Sequence, residues 1–177
     1  MSGNDRDTPR SEFDRRPLWA PWRLEYIREL PRDGCFFCEK AESDQDHDNL
    51  VVARGETCFL LLNAFPYNSG HVLIAPYAHK GDLSDLPKET RVEMIDMVMT
   101  MKEVMSERLW PDGFNFGFNL GAAAGAGVVE HVHGHLVPRW NGDTNFMPVL
   151  GDTRVVPEAL EKTAAFLREG WGEHDGT

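Results

Sequence analysis

Hydrophobic and polar positions along the 177 residues follow two periods, and the shorter one comes first. In a strand, successive side chains point to opposite faces. Val51 to Ala53 and Cys58 to Leu62 predict two strands joined by a turn at Arg54-Gly55-Glu56. Asn63 to Gly70, with Pro66, Asn68 and Gly70, reads as a loop, and His71 to Ala75 as a strand stopped by Pro76. From Phe114 to Leu120, Phe114, Phe116, Phe118 and Leu120 alternate with Asn115, Gly117 and Asn119, which predicts another strand. The strictest alternation is His131 to Arg139. There His131, His133 and His135 line one face, and Val132, Gly134 and Leu136 the other, with Gly134 leaving room for a close neighbour.

The longer period marks helices. Met94, Val98, Met101, Met105 and Leu109 recur at helical spacing, ending before Pro111-Asp112-Gly113. Ser84 or Asp85 is the expected N-cap, with Pro87 in the first turn. The methionine stripe reads as core packing. A last helix is expected from about Pro157 to Trp171. Residues 18–30 carry too many aromatics to stay loose and predict a docked segment, helical from Trp22; residues 39–49 read as a solvent loop. Residues 1–17 and 173–177 are polar ends, expected to be disordered and flexible, around a single domain at 18–172. Helices interrupt the strands rather than alternate with them. The fold class is therefore α+β, with a mainly antiparallel sheet of five to six strands, one long helix and one C-terminal helix.

Composition narrows the function. A net charge of −11 argues against a general grip on nucleic-acid backbones. No apolar run has transmembrane length and no signal-peptide pattern opens the chain, so no membrane partner is expected and the cytoplasm is the default. Three cysteines do not make a disulfide framework. Cys58, alone in an apolar run, reads as a core residue.

Cys35 and Cys38 form a two-sulfur chelate, and two thiolates with two imidazoles make a closed tetrahedral zinc set. His71, His79 and the histidine triplet can supply the imidazoles. A reduced thiol pair and a redox motif are the alternatives, though no thioredoxin-like βαβ unit surrounds the cysteines. A metal on His131 would also hold the strand rigid beneath the other two. Three imidazoles at intervals of about 7 Å suit covalent chemistry at phosphorus. His133 can attack to form a phosphoramidate. His135 can bond the phosphoryl oxygens or protonate the leaving group. The loop before them, Gly125 to Val129 with Gly127 and Val128 at its centre, offers backbone N–H groups for a phosphate.

His131-Val132-His133-Gly134-His135-Leu136-Val137 resembles the signature of the histidine triad (HIT) superfamily. The likeness extends over most of residues 18–150, including the runs at 62–76 and 138–149. It looks closest to bacterial members of the diadenosine tetraphosphate (Ap4A) phosphorylase-like branch. The resemblance implies a HIT-like fold and a homodimer whose sheets join across the subunit interface, binding purine nucleotides or dinucleoside polyphosphates. By analogy His133 is the nucleophile on the α-phosphorus, and its other nitrogen is oriented by a backbone carbonyl. His135 would contact the phosphate and leaving group, Asn63 the ribose hydroxyls, and Asn119 the phosphate side. In zinc-containing members the ligands match Cys35, Cys38, His79 and His131, a structural zinc.

Two positions depart from the pattern. Gly127 stands where many members carry Gln or Ser, so a side-chain contact that bears on the choice between water and phosphate as acceptor is missing. Gly134 replaces a bulkier apolar residue, a change expected to affect packing more than chemistry. The leading reading is a nucleotidyl transferase or hydrolase acting on dinucleoside polyphosphates. The alternatives are a hydrolase of nucleoside phosphoramidates, a non-catalytic nucleotide-binding protein, and a metal hydrolase with all three histidines on one ion. Trp140 reads as packing or base stacking, Arg139 as a partner of a surface carboxylate, and His71 as a strand cap.

Overall fold

In this computed structural model the described residues are 34–143 and 159–174. The expectations for residues 1–17 and 18–30, and for the start of the last helix at Pro157, lie outside them. Five strands form one antiparallel sheet: β1 (Val51–Arg54), β2 (Cys58–Leu62), β3 (Val72–Pro76), β4 (Gly113–Phe118) and β5 (Gly134–Arg139), in the order β1-β2-β3-β5-β4. Among the described residues three α-helices accompany them: α1 (Phe36–Glu42), α2 (Lys88–Leu109) and α3 (Leu160–His174). The class is α+β, as the sequence predicts. Among the described residues no helix is long and apolar enough to cross a membrane.

β2 and β3 are buried along their whole length, as a strand covered on both faces must be. One face of the sheet meets α2 and α3. Leu60, Leu62, Ile74 and Leu136 pack there against Met94, Met101, Met105 and Leu167. The methionine stripe is core, and Cys58 is fully buried beside it. The other face carries a smaller cluster, in which Val51, Phe59, Leu61, Leu73 and Ala75 pack around Phe37 of α1. The histidines belong to this second face.

The structure moves several boundaries. α1 occupies residues that read as a loop, 39–42, because its end is held from a distance. Arg54 donates to the carbonyls of Lys40, Ala41 and Ser43, satisfying the orphan acceptors of the last turn. Asp82 caps a separate 3-10 turn at Leu83–Asp85, so α2 begins at Lys88 after Pro87, without a side-chain cap. β4 stops at Phe118, which pairs with Gly134, the first residue of β5. Leu120 is left beyond the ladder and exposed. α3 continues past Trp171 to His174.

Most consequential, His131 and His133 precede β5 rather than lie in it. Continuing the ladder would bring the chain toward Pro76, which has no N–H to give. The chain turns away instead, and the N–H of Val132 bonds the Lys80 carbonyl. The backbone stays alternating, so the three rings still share one side while Val132 and Leu136 enter the main core. Gly134 is explained by its neighbours: an added Cβ would lie 2.8 Å from Ile74 Cγ2 and 2.9 Å from Phe118 Cε1.

Candidate functional site

None of the three histidines forms a solvated face. His131 and His133 are buried and His135 is half-buried. Each ring is fixed by a different bond, and each bond assigns a proton.

The His131 Nε2–H donates to the Pro76 carbonyl at 2.8 Å. That leaves the Nδ1 lone pair facing Cys35 Sγ at 3.2 Å and Cys38 Sγ at 3.6 Å. His79 Nδ1 lies 3.3 Å from Cys38 Sγ. The four ligand atoms of Cys35, Cys38, His79 and His131 all lie within 4.8 Å of one another. Across a tetrahedral zinc, with Zn–S about 2.3 Å and Zn–N about 2.0 Å, sulfur and nitrogen stand roughly 3.6 Å apart, so the donor set fits that ion. Electrostatics agrees. Burial, with the hydrogen bond and charge of Cys35 and the charges of Glu42 and Glu39, pushes the Cys38 thiol up to about 11, and a divalent cation would reverse that shift. The Pro76 carbonyl behind His131 is the outer-shell acceptor that metal-bound histidines commonly use.

The His133 Nδ1–H donates to the carbonyl of His131 at 2.9 Å, which leaves the lone pair on Nε2. Burial lowers its pKa below the ordinary imidazole value, with the His131 carbonyl opposing, so the ring is neutral at pH 7. A neutral, oriented imidazole with a lone pair is chemically a nucleophile or a base.

His135 is oriented by His71. His71 Nδ1 accepts from the backbone N–H of Tyr67 at 3.0 Å and faces the Asn63 amide nitrogen at 3.2 Å. A neutral His71 therefore carries its proton on Nε2, which donates to His135 Nδ1 at 3.0 Å. The proton of neutral His135 is then on Nε2, as a hydrogen-bond donor. The His133 and His135 rings lie 5.1 Å apart, and Tyr67 stacks on His135 at 5.9 Å.

Other expected residues fall around this row. Asn63 follows β2, with its side-chain oxygen accepting from the Phe65 N–H. Asn119 follows β4 and is half-buried. The glycine-rich loop contains a 3-10 turn at Ala122–Ala124, and the Gly125 N–H turns back to the Ala122 carbonyl. Gly127 and Val128 then lead to the triad, Val128 packing on the Phe37 cluster. Gly81 closes the same corner, since an added Cβ would lie 2.9 Å from the Val129 carbonyl oxygen. Arg139 pairs with Asp143 at 2.7 Å, and Trp140 donates to the carbonyls of Leu109 and Trp110 at the end of α2.

His71, which reads as a strand cap or a metal ligand, is fully buried as the partner of His135 and lies outside the metal set, and Phe37 has no role in the sequence reading. The signal for His71 is the strand order, which puts Leu73 opposite His135. Phe37, between the two cysteines, lies against both His131 and His133. Among the described residues, the group of ligand atoms close enough to share an ion is Cys35, Cys38, His79 and His131, which takes in His131 but neither His133 nor His135.

Comparison with known proteins agrees. The HIT domain family matches residues 44–142. The chain is 36% identical to the AP-4-A phosphorylase of Mycobacterium tuberculosis over 97% of its own length and 98% of that protein's. It is 30% identical to an Arabidopsis thaliana adenylylsulfatase over 63% of this chain and 55% of the other. Among solved structures, a zinc-bound histidine triad family protein from Mycobacterium smegmatis superposes with a TM-score of 0.65 at 30% identity, covering 81% of this chain and 96% of that one. With a matching family, fold and triad, the chain belongs to the HIT family.

Proposed function

We propose that this protein cleaves dinucleoside polyphosphates of the Ap4A type at the α-phosphorus, through a nucleotidyl-histidine at His133, and passes the nucleotidyl group to inorganic phosphate. The observation that carries the reading is the 2.9 Å bond from His133 Nδ1 to the His131 carbonyl, which leaves Nε2 to attack. In the first step the Nε2–P bond forms and the bond from phosphorus to the leaving ATP breaks. The His135 Nε2–H is aimed to protonate the leaving oxygen, having its other nitrogen bonded to His71. In the second step a phosphate oxygen attacks, the N–P bond breaks, and ADP leaves. Asn119 and the N–H groups of Gly127 and Val128 would hold the phosphoryl oxygens, and Asn63 the ribose hydroxyls. Gly125, whose N–H is turned to Ala122, would shape the loop rather than donate. A zinc ion on Cys35, Cys38, His79 and His131 would be structural.

Phosphate is chosen over water because the AP-4-A phosphorylase relative covers nearly the whole chain. A second reading, cleavage of adenylylated small molecules by the same histidine step, is supported by the adenylylsulfatase relative.

The same reading includes a homodimer and a cytoplasmic setting, where thiols stay reduced for the metal. β4 ends the sheet, and Val92, Ile95 and Met99 form an exposed apolar stripe on α2, with Phe116 exposed on β4. Such an edge and stripe favour pairing with a second copy.

Product analysis tests the reaction. ATP and ADP from Ap4A only when phosphate is present is the expected result. ATP and AMP without phosphate would make water the acceptor. No turnover, with wild type matching His133→Ala, would overturn the reading.

A further inference from the structure

The Cys-x-x-Cys turn carries more than ligands. Between its cysteines stands Phe37, 1% exposed, its ring centroid 5.1 Å from that of His131 and 4.7 Å from that of His133. Phe36 meets it edge-on at 5.2 Å. The bond from His133 Nδ1 to the His131 carbonyl fixes one edge of the reacting ring. One bond leaves the ring free to tilt about it, and Phe37 blocks that tilt on the face it covers. Both restraints lead to the same place. The carbonyl belongs to His131, whose own ring is pinned between Pro76 and the two sulfurs. Phe37 is carried by the turn that bears those sulfurs.

We propose that Phe37 is a positioning residue, and that the metal-binding turn sets the plane of the His133 imidazole through it. The proposal rests on the reading of His133 as the nucleophile. With Cys35, Cys38, His79 and His131 holding a metal, the His131 carbonyl and the Phe37 ring would be fixed together, so that Nε2 would point along one line. Positioning of this kind acts on the rate of a bound complex more than on binding, because a small misplacement of an attacking atom weakens the approach steeply.

Phe37 is also a core residue, and the test must separate the two roles. Phe59 belongs to the same buried cluster, but it stacks on Tyr77 at 5.5 Å, so it supplies the control. Phe37→Leu and Phe59→Leu are compared with wild type as folded, zinc-loaded proteins. For Phe37→Leu the expected result is a fall in kcat of roughly 10- to 100-fold, with KM, AMP affinity and zinc content unchanged. Nitrogen-15 spectra of the histidines should show His133 as the Nδ1–H tautomer in wild type and as a mixture in the variant. Phe59→Leu should lower Tm comparably and leave kcat and the His133 signal as they were. Equal kcat for the two variants, with the same His133 tautomer in both, overturns the proposal. If wild type turns over no nucleotide, the reading of function fails by itself. The His133 tautomer in Phe37→Leu, and in wild type stripped of metal by a chelator, still decides the structural claim: a change in both supports it and no change refutes it.

Discussion

His71 Nε2 lies 3.0 Å from His135 Nδ1, and that bond decides which nitrogen of His135 carries a proton. The backbone N–H of Tyr67 fixes His71 from behind, so the direction of the chain is set by a donor that cannot reverse. His71→Phe removes the donor while keeping a ring. The expected fall in kcat is roughly 100-fold, the scale of a mispositioned general acid. Steady-state kinetics with nitrogen-15 spectra of His135 checks this, and an unchanged kcat would remove His71 from the site.

Metal removal gives a second prediction. The thiols and imidazoles come from α1, the segment after β3 and the approach to β5, so an ion there ties three separate parts of the chain. A chelator should lower Tm by on the order of 10 °C, given the several kcal/mol a structural site supplies. Added zinc should restore it. Metal analysis should find one ion per chain, absent from Cys38→Ser. A chelator that abolishes activity while Tm stays constant would contradict a structural role.

Acid sensitivity should centre on Glu93. Its carboxylate accepts from the backbone N–H groups of Glu56 and Thr57 and from the Thr57 hydroxyl, tying α2 to the β1–β2 turn. Burial raises its pKa, but these hydrogen bonds outweigh burial and hold it below the ordinary value. A carboxyl depressed in the folded state contributes stability that is present above its unfolded value, about 4.3, and is lost as pH falls through the folded one. Denaturant titrations of wild type and Glu93→Gln should therefore differ by about 1–3 kcal/mol at pH 7 and converge below pH 4. A constant difference across that range would exclude Glu93.

Gly134 offers a packing test. Ile74 Cγ2 and the Phe118 ring occupy the space a side chain would need. Gly134→Val should destabilise by about 1–3 kcal/mol through overpacking, read as a lower urea midpoint. Equal stability would mean that β3 and β4 yield at no cost.

The sequence made much of this site legible because its chemistry lies in residue identity and short spacing. The alternation at 131–135 survives even though β5 begins at Gly134, since extended backbone alternates with or without ladder bonds. The cluster of two thiols and two imidazoles is legible from Cys35 and Cys38, with the resemblance supplying His79 and His131. What stayed hidden depends on distant partners. α1 is only seven residues long, and its last turn is held by Arg54 from β1. The His71–His135 pair follows from β3 lying beside β5, an order that local pattern does not encode. The alternation that predicts β4 runs on to Leu120, whereas pairing ends where β5 begins, at Phe118 opposite Gly134.

The most direct test of a covalent His133 is to mix the enzyme with excess Ap4A without phosphate, quench in alkali, and measure intact and peptide masses. One adenylyl group per chain on the peptide holding His133, discharged to ADP when phosphate is added before the quench and absent from His133→Ala, is the predicted result. Wild-type turnover by His133→Ala, with no adduct in either protein, would contradict it.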